Sequence, residues 1–178
     1  ETTYEVVRDA AAAAELAERL RDADRVAVAA EVSTGDPLRG ELVGISLASE
    51  AGRTWYLPLA HDQPFELTFE GEEQGEVRNL PALDDPSMAA VRELLEDPDV
   101  PKVGHDLKRT ALALSRAEVT LRGHHLDVMV ASYVLDPGRR AHNLAFLALE
   151  LLARKVPGRD DVVGTGKRRV PLGEVPVE

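Results

Sequence analysis

The chain has 178 residues, a formal net charge of −11 and no cysteine. Its length predicts a single domain, and 44% hydrophobic residues suffice for one core although only 4% of the residues are aromatic. The acidic balance argues against a general electrostatic grip on nucleic acid, and the lack of cysteine excludes disulfides and thiolate chemistry. Because no signal peptide or membrane-length apolar run is visible, we expect a cytoplasmic protein without membrane contact, monomeric within any larger chain.

The first part of the chain predicts strands and one helix. Asp9 is typical of a helix N-cap and precedes an Ala-rich stretch with helical spacing. The segment 25–33 is an almost unbroken run of small apolar residues and predicts a buried central strand. The other predicted elements are an edge strand at 3–7, a helix over 10–20, and an antiparallel hairpin at 41–48 and 54–59.

Glu31 is the one charged residue inside the central apolar run. A carboxylate is costly to bury without compensation, so Glu31 either points to solvent at the end of the strand or faces a functional site. The first interpretation is favoured by the fact that strand ends commonly emerge into water. The sequence pattern alone leaves both open.

The second part of the chain alternates a strand with helices. Residues 61–85 are rich in Glu and Gly and predict a mobile acidic loop. Asp127 and Asn143 are typical N-caps, and the apolar residues of the last helix predict a buried stripe. The predicted elements are a helix from Pro86, a strand at 101–105, and helices over 106–114, 128–135 and 144–154, with the stripe formed by Leu144, Leu147, Ala148 and Leu151.

Together these elements predict one α/β domain over residues 1–178, with a mixed sheet flanked by helices. General catalytic motifs such as phosphate-binding glycine loops, serine elbows and paired metal-binding histidines do not occur in the sequence. His105 and Asp106 follow a predicted strand, which is where sites form in α/β sheets. The basic cluster Lys167-Arg168-Arg169 is interpreted as a solvated turn in preference to a phosphate contact.

Several segments resemble the 3′–5′ exonuclease domain of bacterial family A DNA polymerases, the DNA polymerase I family. The resemblance covers nearly the whole chain in the family's order. It implies a ribonuclease H-like fold of the DnaQ type, a covalently attached polymerase domain, and DNA contact through that domain. It also implies that the family's final helices are missing from residues 1–178. The matching segments are 42–46, 56–61, 102–108, 121–123, 126–135, 142–144 and 164–167.

The family hydrolyses the 3′ terminal nucleotide with two divalent metal ions that acidic residues hold. Its first motif, Asp-x-Glu, aligns with Ala29-Ala30-Glu31, so only the glutamate is kept. Its second motif, Asn-Leu-Lys-Tyr-Asp, aligns with residues 106–110, where Asp106 replaces the asparagine and Thr110 replaces the metal-binding aspartate. The third motif would lie beyond Glu178.

These departures predict a vestigial, inactive exonuclease domain that acts as a structural scaffold in a polymerase for DNA replication and repair. No metal cofactor is then expected. Changes at Ala29, Arg109 and Thr110 together indicate natural decay rather than an engineered knockout. Asp127 matches a family aspartate to which we assign a capping role.

Two alternatives remain open from the sequence. One is an active proofreading exonuclease with a displaced site, in which Glu31 and Asp106, with Asp36 or Asp127, bind Mg²⁺ or Mn²⁺. The other is a free-standing protein-interaction domain without a polymerase. Where nucleic acid is bound, the resemblance and the position at a strand end indicate His105, Lys108 and Arg109 as contacts.

Overall fold

The computed structural model describes residues 3–62, 79–175 and 177. Its strands are β1 (Thr3–Val6), β2 (Val26–Val32), β3 (Leu42–Glu50), β4 (Arg53–Pro58), β5 (Lys102–Gly104) and β6 (His124–Asp127). Its α-helices are α1 (Ala10–Arg21), α2 (Ala89–Glu96), α3 (Leu107–Ser115), α4 (Val128–Leu135), α5 (Leu144–Leu152) and α6 (Arg159–Val163). Short 3₁₀ turns cover Pro86–Met88, Gly166–Arg168 and Leu172–Glu174.

The strands form one mixed sheet in the order β1-β4-β3-β2-β5-β6. β2 is central: it runs antiparallel to β3 and parallel to β5. β3 and β4 form the predicted antiparallel hairpin, and β1 pairs with β4 at the edge. The sequence-based fold class, the central strand and the edge strand are thereby confirmed.

β2 owes its central place to its small apolar residues, which alternate between the two faces of the sheet. Four of them are almost completely buried on one face: Val26, Val28, Ala30 and Val32. α3 packs against this strand, while α1 packs against α2 and contributes Leu16 and Leu20 to the same core. Because β2 is buried in this way, it holds the side chains at its carboxyl end in fixed positions.

Local capping follows the sequence. The side chain of Asp9 accepts from the Ala12 N–H at 2.8 Å, and the side chain of Asn143 accepts from the Phe146 N–H at 2.9 Å. Each therefore satisfies a backbone donor that the first turn of the helix leaves unpaired.

The predicted stripe of α5 is only half correct. Leu147 and Ala148 are buried, but Leu144 and Leu151 are 52% and 62% exposed. Helical spacing identifies an apolar face, but it does not fix how much of that face another element covers. Among the described helices, none has the length and apolar character needed to cross a membrane.

The predicted acidic loop at 61–85 is only partly within the described residues, since 63–78 lie outside them. Its two ends are packed rather than loose. The His61 N–H donates to Asn79 Oδ1 at 2.9 Å, and Asn79 Nδ2 donates back to the His61 carbonyl at 2.8 Å. Leu80 and Leu83 are buried in the core. Residues 79–85 form neither helix nor strand, in agreement with a loop, but Leu80 and Leu83 anchor them in the core; the mobility of the loop stays a prediction.

Candidate functional site

Ala29 and Glu31 stand two residues apart on β2 and so share one face of the sheet. In the β2–β3 register Ala29 lies opposite Ser46, and Glu31 lies opposite Gly44. The register shifts just after Glu31, which marks the end of regular pairing. Glu31 thus presents a carboxylate at the carboxyl end of the central strand, and Ala29 presents only a methyl group.

Tyr56 of β4 lies beside this carboxylate, over Gly44. A Cβ at Gly44 would stand 2.1 Å from the Tyr56 hydroxyl oxygen, so the ring occupies the space that the glycine leaves. The hydroxyl lies 2.7 Å from His61 Nε2, and His61 Nδ1 lies 3.2 Å from the Val175 carbonyl oxygen. Because a carbonyl only accepts, Nδ1 carries the proton and Tyr56 donates to Nε2.

Burial keeps both members of this pair uncharged. It raises the pKa of the Tyr56 hydroxyl, and the negative charge of Glu31 raises it further. Burial also lowers the pKa of the His61 imidazole, although hydrogen bonds to backbone carbonyls and the charge of Asp62 oppose this. The wall beside Glu31 therefore carries no compensating positive charge.

That charge comes from Arg159, the first residue of α6. Its Nη1 donates to Glu31 Oε2 at 2.7 Å, and its Nη2 donates to the Val32 carbonyl at 2.8 Å and reaches the Thr34 carbonyl at 3.5 Å. The side chains are 27% and 44% exposed for Arg159 and Glu31. Glu31 thus neither simply points to water nor stands unpaired, because a guanidinium caps the end of its strand.

Thr110, which aligns with the metal-binding aspartate of the family's second motif, lies in α3 and is only 3% exposed. It is therefore part of the packed interior rather than of an open site. Its hydroxyl is neutral, so it brings no charge with which to hold a cation. Of the three positions that align with the family's metal-binding acidic residues, Ala29 and Thr110 carry no carboxylate, and only Glu31 does.

Asp106 and Asp127 act on the backbone at the start of α3 and α4. Asp106 has a positive φ of 57°, which Asp tolerates better than most residues, and its Oδ1 accepts from the Arg109 N–H at 3.1 Å. The carboxylate of Asp127 accepts from the N–H groups of Asp106 and Leu107 at 3.1 and 2.7 Å. It also accepts from two N–H groups of α4, so the predicted capping role of Asp127 agrees with the structure.

Partial burial raises the pKa of the Asp127 carboxyl, but four hydrogen bonds from backbone N–H groups outweigh it, and the net pKa is lowered. The charged form is the one that holds the starts of two helices together. These hydrogen bonds account for an aspartate at this position without invoking a metal ion.

Two of the three predicted nucleic-acid contacts are half-buried and bind backbone carbonyls. His105 Nε2 donates to the His142 carbonyl at 2.8 Å, and Arg109 Nη1 donates to the Gly35 carbonyl at 2.7 Å. Of the three, only Lys108 is exposed. The first two side chains thus tie α3 and its surroundings to neighbouring loops.

The residues do not fit a two-metal centre. In the described part of the chain, no group of three His, Asp or Glu side chains converges in a way that could hold a metal ion. The predicted ligand Glu31 is bound by Arg159, and the predicted ligand Asp106 caps its own helix. Mg²⁺ and Mn²⁺ need several anionic oxygens each, and one engaged carboxylate does not supply them.

Sequence reasoning missed Arg159 and Tyr56. Arg159 lies 128 positions from Glu31, and nothing local distinguishes it among the 21 basic residues. The usable signal was indirect, since a carboxylate in an apolar strand requires a cation somewhere. Gly44 was a second signal, because a glycine within a strand often marks a close approach by another group.

The arrangement of strands and helices defines a ribonuclease H-like exonuclease fold. RNase D of Escherichia coli, an exoribonuclease, superposes with a TM-score of 0.62 at 14% identity, over 94% of this chain and 39% of that one. The structure of the POL domain of Pol1 from M. smegmatis gives a TM-score of 0.63 at 22% identity, over 87% of this chain and 23% of that one. At these identities the likeness shows the fold alone.

The family follows from the sequence. Residues 72–176 match the family described as DNA polymerase I, ribonuclease H-like domain, and the chain belongs to that family. The DNA polymerase I of Pseudomonas aeruginosa is 31% identical over the whole of this chain. The chain spans only 18% of that relative's length.

Proposed function

We propose that this is an exonuclease-like domain that has lost metal-dependent cleavage and serves as a structural part of a DNA polymerase I. The observation that carries the proposal is the pairing of Glu31 with Arg159 at 2.7 Å. A guanidinium stands against the one carboxylate that the family's visible metal-binding motifs retain. The domain then works in DNA replication and repair by holding the architecture of the polymerase.

The physical argument rests on charge. Two-metal cleavage requires carboxylates that fix both cations, one of which activates the attacking water while the other stabilises the leaving oxygen. Ala29 and Thr110 offer no charge at their positions. Arg159 adds a positive charge next to Glu31, which repels a divalent cation that approaches the same oxygens. The missing carboxylates and the added positive charge each lower the affinity for divalent cations.

The wider activity is also part of the proposal. The attached polymerase domain makes the main contacts with DNA, which suits a domain of net charge −11. The protein then works in the cytoplasm, as a monomer, where bacterial DNA is copied. In this proposal His105 and Arg109 position backbone segments, and the exposed Lys108 is the member of the predicted set that contacts a nucleic acid.

A calorimetric titration with Mn²⁺ tests the loss of the metal site. The whole polypeptide that carries the domain is compared with its Glu31→Gln variant, so that binding by any other domain cancels. We expect the two titration curves to coincide, because Glu31 holds no metal. A binding event that is present in the parent and absent from Glu31→Gln would support the alternative of a displaced site that uses Glu31 and Asp106.

A further inference from the structure

Arg159 contacts three acceptors that all belong to the end of β2 and the turn after it. They are the Glu31 carboxylate and the carbonyl oxygens of Val32 and Thr34. Val32 ends β2 and still pairs with Leu42 of β3, whereas the pairing of β2 with β5 covers only Val26 and Ala27. One planar guanidinium with several donors can serve such a spread of oxygens, whereas the compact ammonium of Lys cannot.

We propose that Arg159 is a built-in replacement for the missing metal: it neutralises Glu31 and ties the segment 159–175 to the catalytic strand of the ancestral site. The proposal rests on the function proposed above and deepens it. A metal that is bound by residues distant in sequence holds those segments together, and its loss leaves repelling oxygens. A guanidinium in the same place supplies both the charge and the link.

The segment that Arg159 begins is fastened at its other end as well. The Asp62 N–H donates to the Gly173 carbonyl at 2.9 Å, and His61 binds the Val175 carbonyl. Within the segment, the Val170 N–H donates to the Val163 carbonyl at 2.9 Å. Most of its side chains are exposed, and Val163 is its buried apolar anchor. A segment with so little apolar burial depends on polar links at its ends.

Removing the Arg159 guanidinium should have a different effect from removing one partner of a simple surface ion pair. Exposed pairs contribute little to stability. Here the loss of the guanidinium leaves Glu31 without its partner and the carbonyl oxygens of Val32 and Thr34 without their side-chain donor. We therefore expect a local opening of the segment 159–175 rather than unfolding of the sheet.

Hydrogen exchange, measured peptide by peptide in the full-length protein, tests this link. We expect Arg159→Met to speed exchange across 159–175 about tenfold, the size expected when a hydrogen bond to a charged group is lost. Glu31→Gln should speed it about threefold, because the Val32 contact remains. Arg169→Met, an exposed arginine of the same segment, is the matched control and should leave exchange unchanged. Arg159→Lys keeps the charge without the fork and should fall between the parent and Arg159→Met.

The double variant Glu31→Gln/Arg159→Met decides whether the two residues act as a pair. If the double variant exchanges no faster than Arg159→Met alone, Glu31 and Arg159 act as a pair. If its rate increase is the product of the two single increases, they act independently and the proposal is overturned. If the segment 159–175 exchanges at the same rate in Arg159→Met as in the Arg169→Met control, Arg159 does not link this segment to β2 and the proposal is also overturned. If Arg159→Met gains Mn²⁺-dependent release of 3′ nucleotides, the arginine blocks a working site and the replacement is wrong. If the parent protein itself releases 3′ nucleotides, the proposed loss of activity is wrong. The hydrogen-exchange rates still test the link between Arg159 and β2 independently.

Discussion

Lys102 is the charged side chain that the fold buries most completely, at 0% exposure in β5. Its ammonium donates to the Asp97 carbonyl at 2.5 Å. Burial lowers the pKa of Lys102 to about 8, and the negative charge of Asp97 only partly opposes this. Keeping Lys102 charged in the folded state at neutral pH therefore costs about 3 kcal/mol of stability.

The sign of the resulting pH dependence follows from proton binding. Between pH 8 and 10 the unfolded chain keeps a proton on Lys102 that the folded chain has released, so the free energy of unfolding rises with pH. We expect the parent to gain about 2 kcal/mol over this window relative to Lys102→Met. Urea unfolding at pH 7.5 and at pH 10 measures the difference, and the exposed Lys108→Met is the control. Parallel pH profiles for the parent and Lys102→Met would contradict burial of a titrating ammonium.

Asp127 illustrates a carboxylate that stabilises by hydrogen bonding to the backbone. Replacement by Ala leaves the N–H groups at two helix starts without their acceptor, and we expect a loss of about 2–4 kcal/mol in the free energy of unfolding. Asp127→Asn keeps one acceptor oxygen and should lose about half as much. The exposed Asp84→Asn is the control, and denaturant unfolding is the measurement.

The contribution of Asp127 also has a defined pH window. Because its folded pKa is lowered, the stabilisation is present above the ordinary Asp pKa and is lost as the pH falls through the folded value. The difference in stability between the parent and Asp127→Asn should therefore shrink below about pH 4. A difference that stays constant down to pH 2 would assign the effect to packing instead.

At the scale of elements, the hairpin of β3 and β4 requires a glycine at position 44, because the Tyr56 ring occupies the space of a side chain there. Gly44→Ala would place a Cβ 2.1 Å from the Tyr56 hydroxyl oxygen and 2.4 Å from Cζ. The ring is held by its hydrogen bond to His61, so the strands must shift instead. We expect a loss of about 1–3 kcal/mol in denaturant unfolding. Gly35→Ala meets no atom within 4 Å and should be nearly neutral; equal effects of the two changes would refute the steric account.

The elements that the sequence predicts well are those with local causes. The side chains of Asp9, Asp127 and Asn143 each cap their own helix within three residues, and the alternation of β2 is a property of one strand; only the further bonds of Asp127 to the start of α3 are distant. These signals survive because no distant partner is needed to form them.

What the sequence does not reveal depends on distant contacts. The burial of Lys102 requires the whole core around β5, and the partner of Glu31 comes from the far end of the chain. The predicted roles of Asp106 and Arg109 assumed side chains free to meet metal or nucleic acid. The structure instead has them bonded to the backbone, a use that spacing cannot distinguish from a functional one.

At the scale of the whole molecule, the ribonuclease H-like sheet is formed although two of the predicted metal-binding positions hold Ala29 and Thr110. The core depends on apolar packing, which does not require the metal ligands. On the proposed function, the loss of those ligands removes the mutual repulsion of clustered carboxylates and leaves the fold intact.

The most direct test of that account is the release of the 3′ terminal nucleotide from a 3′-labelled single strand by the full-length protein, with Mg²⁺ and with Mn²⁺. A 5′-labelled copy of the strand separates 3′ trimming from cleavage elsewhere. The account predicts an intact 3′ end, with the same background as in Glu31→Gln. Terminal release that requires metal and disappears in Glu31→Gln would contradict it.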